Sequence, residues 1–131
     1  MHEAKKAIEK GEETGILNLV KGKAGAITKE IIMDAAKKGD KLAIELLENA
    51  GKSLGVRIAY MIDLLNPALV IIGGGMETAG DLLFEPIKNT VKKFAFEEPV
   101  SSVKIVPTFL GEDAIVLGAA ALAAREIFIQ A

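Results

Sequence analysis

The run Asn66-Pro67-Ala68-Leu69-Val70-Ile71-Ile72-Gly73-Gly74-Gly75 constrains this chain more than any other stretch. Before it, Leu42, Leu46, Leu47, Ala50, Leu54, Ile58, Met61, Ile62 and Leu65 recur at steps of three and four, the period of an amphipathic helix. A residue that precedes proline is pushed out of the helical region, so this helix is expected to end at about Asn66. Leu69–Ile72 is a short apolar run rich in β-branched residues, which reads as a buried strand, and three glycines close it. In open α/β sheets, ligands bind in the crevice beyond the carboxyl ends of the strands. Glycines at that point let the main chain take positive φ and let a flat ligand lie close to it. Gly73, Gly74 and Gly75 are therefore candidate binding residues, and a plain strand-to-helix turn is the competing reading of the same three glycines.

The remaining elements follow from caps and periods. Residues 3–10 read as a helix stopped by Gly11, and residues 11–26 as a loop with one short helical turn at Ile16–Val20. Thr28 caps a helix whose inner face is Ile31, Ile32, Ala35 and Ala36; Gly39 ends it and Asp40 caps the long helix. Gly51 and Gly55 lie inside that long helix, either as a kink or as a face where another backbone comes close. Leu82, Leu83, Ile87, Val91 and Phe94 form the next helical face, with Pro86 expected in the first turn of a fresh helix. Val103–Pro107 is a second strand, and Ala114–Ile129 a last helix. Its apolar stretch, Ala114–Ala124, falls well short of the roughly 20 residues of a membrane span and is expected to be buried in protein. The predicted order is α-α-α-β-α-β-α, an α/β arrangement with few, parallel strands.

Two parallel strands make a poor sheet, because parallel sheets need several members and cover on both faces. Either a partner chain completes this one, or the polypeptide belongs to something larger. The length, 131 residues, fits a single domain. With 16 basic and 18 acidic residues and no basic stripe interleaved with aromatics, nucleic-acid binding by this segment is not expected. The start, Met1-His2-Glu3-Ala4-Lys5-Lys6, has no apolar signal core, and no membrane association is expected. The absence of Cys rules out disulfides and thiolate metal sites and fits a cytoplasmic setting.

Several motifs fail on inspection. A dinucleotide fingerprint on Gly73 and Gly75 would need glycine where Thr78 stands. A phosphate loop on Gly75 and Gly80 would need Lys and Ser or Thr where Asp81 and Leu82 stand. Gly51-Lys52-Ser53 spells the end of such a loop, but it lies in mid-helix, where the N–H groups are already used. His2 is the only histidine and cannot by itself build a zinc site or a triad. The adjacent acids Glu112 and Asp113 read as helix capping rather than as a catalytic pair. Asp63 is unfavourable for the helix dipole where it stands and is expected to face a neighbouring donor.

Joined together, Leu64-Leu65-Asn66-Pro67, Val70-Ile71-Ile72-Gly73-Gly74-Gly75, Ala79-Gly80-Asp81-Leu82-Leu83, Glu85-Pro86-Ile87, Leu110-Gly111-Glu112-Asp113-Ala114 and Gly118-Ala119-Ala120-Ala121-Leu122-Ala123 closely resemble the carboxyl-terminal part of the ROK family of repressors and sugar kinases. The resemblance covers residues 4 to 127 and implies part of a ribonuclease-H-like, actin-type ATPase fold of two domains. It implies ATP, with Mg2+, as cofactor of the intact protein, and places Gly73, Gly74 and Gly75 under the adenosine. The family's Asp-x-Gly-x-Thr phosphate motif, its Asn-Asp catalytic aspartate, its Cys-rich zinc motif and its sugar-binding His and Glu are all missing. The chain thus reads as a single-domain carboxyl-terminal fragment, residues 1–131, of a glucokinase-like kinase. It would bind nucleotide, meet sugar only with the missing domain, and show no activity alone. The alternatives are the effector-domain fragment of a ROK repressor and a module completed by self-association as a homo-oligomer.

Overall fold

The structure, a computed structural model, describes residues 2–9, 14–21, 23–97 and 102–129. The expected helix stop at Gly11 lies outside them. In chain order the elements are α1 (His2–Glu9), α2 (Gly15–Leu19), α3 (Lys29–Lys37), α4 (Lys41–Leu65), β1 (Leu69–Ile72), α5 (Asp81–Phe94), β2 (Lys104–Pro107) and α6 (Ala114–Ile129). Short 3-10 turns span Ala24–Ala26, Met76–Ala79 and Gly111–Asp113. The short α2 falls where a loop with one helical turn was expected. The fold is mostly helical around a small parallel sheet.

Local chemistry sets the helix ends. Thr28 accepts from the Ile31 N–H at 3.4 Å, and Asp40 from the Ala43 N–H at 2.8 Å. Asp40 also accepts from the Gly15 N–H at 2.6 Å and from the Thr14 hydroxyl, so one carboxylate pins the start of α2 to the start of α4. Burial works to raise its pKa, but the Ala43 and Gly15 N–H groups and the Thr14 hydroxyl outweigh it and hold the carboxyl below the usual range. At the far end of α4, Asn66 takes left-handed φ of 43° and donates to the Ile62 carbonyl. Asp63 accepts from the Phe96 N–H at 2.9 Å, the neighbouring donor its position called for.

β1 and β2 pair in parallel, with Val70 opposite Ile105 and Ile71 opposite Val106. One face of this pair, Val70, Ile72 and Ile105, packs on α4 and α5 through Ile58, Ile62, Leu83, Ile87 and Val91. Gly51 and Gly55 explain how the two helices come together. A Cβ at Gly51 would lie 2.8 Å from Pro86 Cβ and 2.9 Å from the Leu83 carbonyl oxygen. At Gly55 it would lie 2.7 Å from Thr90 Cβ and 2.9 Å from the Ile87 carbonyl oxygen. Close approach is therefore what the glycine pair does. Pro86 is not in the first turn of its helix, as expected, but further inside α5. Its ring fits against the bare Gly51 backbone, a tertiary contact that offsets the helix bond a proline removes.

The other face of the sheet is bare. Leu69 is 49% exposed and Ile71 60% exposed. Contrary to the expectation of burial, α6 is exposed along its length, with Ile115, Val116, Leu122, Ile127 and Phe128 all open. The reason is that no described part of the chain lies over it or over that sheet face. The whole chain exposes 8936 Å², about 2,300 Å² more than the roughly 6,600 Å² expected of a compact protein of this mass. One partner in a standard interface contributes only about 800 Å². Among the described residues no helix is long and apolar enough to cross a membrane.

Gly55→Ala should lower stability by up to about 2 kcal/mol in urea unfolding, because overpacking at about 1–3 kcal/mol opposes a helix-propensity gain of about 1 kcal/mol. A stabilised variant would show that the two backbones are not in contact there.

Candidate functional site

The strand β1 delivers its last side chain, Ile72, into the core at 8% exposure and then releases the chain into the glycines. The Thr108 N–H donates to the Ile72 carbonyl at 2.8 Å, so the strand pair continues up to the bend. Gly73 is exposed and faces Thr108, whose Cγ2 would lie 3.1 Å from an added Cβ. Gly74, also exposed, has φ of 78° with open space around it. Gly75 has φ of 82° but is buried. The Thr78 hydroxyl donates to the Gly75 carbonyl at 2.8 Å, which ties the bend to the 3-10 turn Met76–Ala79 that leads into α5.

A side chain from α3 crosses this bend. The Lys29 ammonium donates to the Gly74 carbonyl at 2.7 Å. It also lies 2.6 Å from where a Cβ on Gly75 would stand, so a side chain there would push the flexible end of Lys29 aside, while the left-handed backbone is what favours glycine. On the far side of Lys29 opens a groove of about 740 Å³ between α1, α3, α4 and Met76. Its apolar lining includes Ile32, Met33, Leu47 and Met76. Glu45, Asn49 and Ser53 line it from α4 at four-residue spacing, which places them in one row along the helix. An apolar trough with a few placed polar groups, next to exposed glycine backbone, suits a flat heteroaromatic ring carrying a polar substituent.

The three glycines thus stand together at the strand end, but it is Lys29 and Met76 that connect them to the groove. The groove was not found from sequence. Its one sequence trace is the row of Glu45, Asn49 and Ser53 at four-residue spacing along α4. Gly51-Lys52-Ser53 is helical, as expected of a decoy, and Lys52 pairs with Glu48 at 3.3 Å. Asp113 is exposed in the turn before α6. The side chains of His2 and Glu112 lie outside the described residues.

The model of the ROK family matches residues 6–126. A glucokinase from Thermotoga maritima is 35% identical over 96 residues, covering 73% of this chain and 30% of the relative. The Escherichia coli DNA-binding transcriptional repressor Mlc is 28% identical over 94 residues, covering 72% of this chain and 23% of the repressor. Among solved structures, a ROK-family glucokinase from Streptomyces griseus in complex with glucose and AMPPNP superposes with a TM-score of 0.72 at 28% identity, covering 82% of this chain and 35% of that one. A ROK-family transcriptional regulator, homologous to the Escherichia coli Mlc protein, gives 0.71 at 28% identity, covering 81% and 26%. The chain spans about 30% of the length of the curated glucokinases it matches.

Gly75→Ala should cost about 1–2 kcal/mol from the left-handed backbone alone and should also displace Lys29. Gly74→Asn, at an open position where Asn tolerates positive φ, should be close to neutral in thermal unfolding. Equal losses at the two positions would contradict the backbone account of Gly75.

Proposed function

The chain belongs to the ROK family, and on that premise we propose that it is the carboxyl-terminal, adenosine-binding portion of an ATP-dependent sugar kinase of glucokinase type. The observation that carries this reading is the open bend at Gly73 and Gly74 beside a groove of about 740 Å³ with an apolar floor and a polar rim. The purine lies in the groove against Ile32, Met33 and Met76, and the ribose lies over the bare backbone of Gly73 and Gly74. Asn49 and Glu45 offer an amide and a carboxylate to the edge of the base. Bound ATP supplies the phosphoryl group, with Mg2+ and the general base held by the part of the protein that this chain does not span. The task of these residues is to bind and orient, and none of them is assigned a catalytic role. Sugar meets the site only when that other part is present.

A second reading is the effector portion of a ROK repressor, favoured by regulator relatives such as the Escherichia coli DNA-binding transcriptional dual regulator NagC, 34% identical over 98 residues. The uninterrupted glycine bend, open at Gly73 and Gly74, favours the kinase, since a repressor has no need of an ATP seat.

Calorimetric titration of the purified chain with adenosine and ATP should show binding, while an assay with glucose and ATP should show no phosphorylation above background. Failure of both nucleosides to bind at millimolar concentration would overturn the adenosine assignment, and turnover would overturn the assignment of catalysis to another part.

A further inference from the structure

Lys29 touches both halves of the site. Its ammonium is held on the Gly74 carbonyl at 2.7 Å, its stem runs over Gly75, and its side chain also lines the groove. A carbonyl uses one of the three N–H donors of an ammonium. Among the described residues the nearest carboxylate is that of Glu30, an exposed ion-pair partner at 3.7 Å, too long for a hydrogen bond. The side chain is 47% exposed, so its remaining donors face solvent at the mouth of the groove. Lys6 lines the same groove from α1, which adds a second positive side chain to its walls. Any ligand that places a ring in the groove and its polar arm along the glycine bend must carry that arm past Lys29.

We propose that Lys29 is the phosphate-reading residue of this site: it pairs with the phosphate nearest the ribose of a nucleotide whose base fills the groove. This rests on the adenosine reading above and adds to it a discrimination between nucleoside and nucleotide. Gly75 and Lys29 then form one device. The missing Cβ at 75 lets the stem lie flat, and the Gly74 carbonyl holds the ammonium at the groove mouth before any ligand arrives. The position that Lys29 takes suits the first phosphate, because the side chain borders the groove itself rather than standing beyond the bend.

The test compares adenosine, AMP and ATP on the wild-type chain, Lys29→Met and Lys29→Arg by calorimetry, with thermal unfolding as the control for folding. The wild type should bind AMP about three- to fivefold more tightly than adenosine, the gain expected of one solvent-exposed ion pair, and the gain should shrink in high salt. Lys29→Met, which keeps the stem, should still bind adenosine and lose the preference for AMP over adenosine. Lys29→Arg should restore it in part. If the wild type binds adenosine and Lys29→Met keeps the AMP preference, or loses adenosine and AMP alike, the role of Lys29 is wrong while the adenosine seat stands. If the wild type binds none of the three, both are wrong.

Discussion

The contact of α4 with α5 at Gly51 and Gly55 sets the position of everything above it. With no Cβ on two successive turns of α4, Leu83, Pro86, Ile87 and Thr90 come down onto its backbone. That contact places Ile58 and Ile62 from one helix and Ile87 and Val91 from the other under a single face of the strand pair. β1 is held by this layer, and the end of β1 is where the glycine bend begins. The candidate site therefore inherits its position from two absent methyl groups some twenty residues upstream. The opposite side of the site is anchored separately, by α3 through Lys29, and α3 packs on the first half of α4.

The same layer explains what is left unfinished. Only one face of the sheet is covered, and Leu69, Ile71 and nearly all of α6 face outward. A helix as apolar as α6 normally belongs inside protein. Exposure of this extent fits a chain that spans about 30% of its glucokinase relatives. The open sheet face and the open helix belong together, since both want cover that the described residues do not provide. The site itself sits on the finished side, against the packed helices. The proposed nucleotide seat therefore rests on packed helices and not on the open face.

Much of this was legible from residues alone, and the failures share a cause. The long period in α4, the Asn-Pro stop, the caps at Thr28 and Asp40 and the parallel pairing all depend on local chemistry, and each is found in place. Asp63 could be read because a misplaced charge demands a donor, though not which one. What failed depended on distant residues. Whether Gly51 and Gly55 meant a kink or a contact was decided by Pro86 and Thr90. Pro86 was assigned to a first turn because that is where local rules prefer it, yet the Gly51 surface accommodates it deeper in the helix. The apolar character of α6 was read correctly, but composition cannot say whether its partner lies in the same stretch of chain. The groove was invisible because its walls come from α1, α3, α4 and the turn at Met76, and no single segment carries its signature.

The central claim is that this is a folded half-layer whose second sheet face and last helix need a covering surface. Sedimentation velocity of the purified chain over a range of concentrations tests it most directly. Species heavier than the 13.8 kDa monomer should appear as concentration rises, as α6 and the open strand face find cover on other copies. A single, well-behaved monomer at all concentrations, with α6 protected from hydrogen exchange, would contradict it.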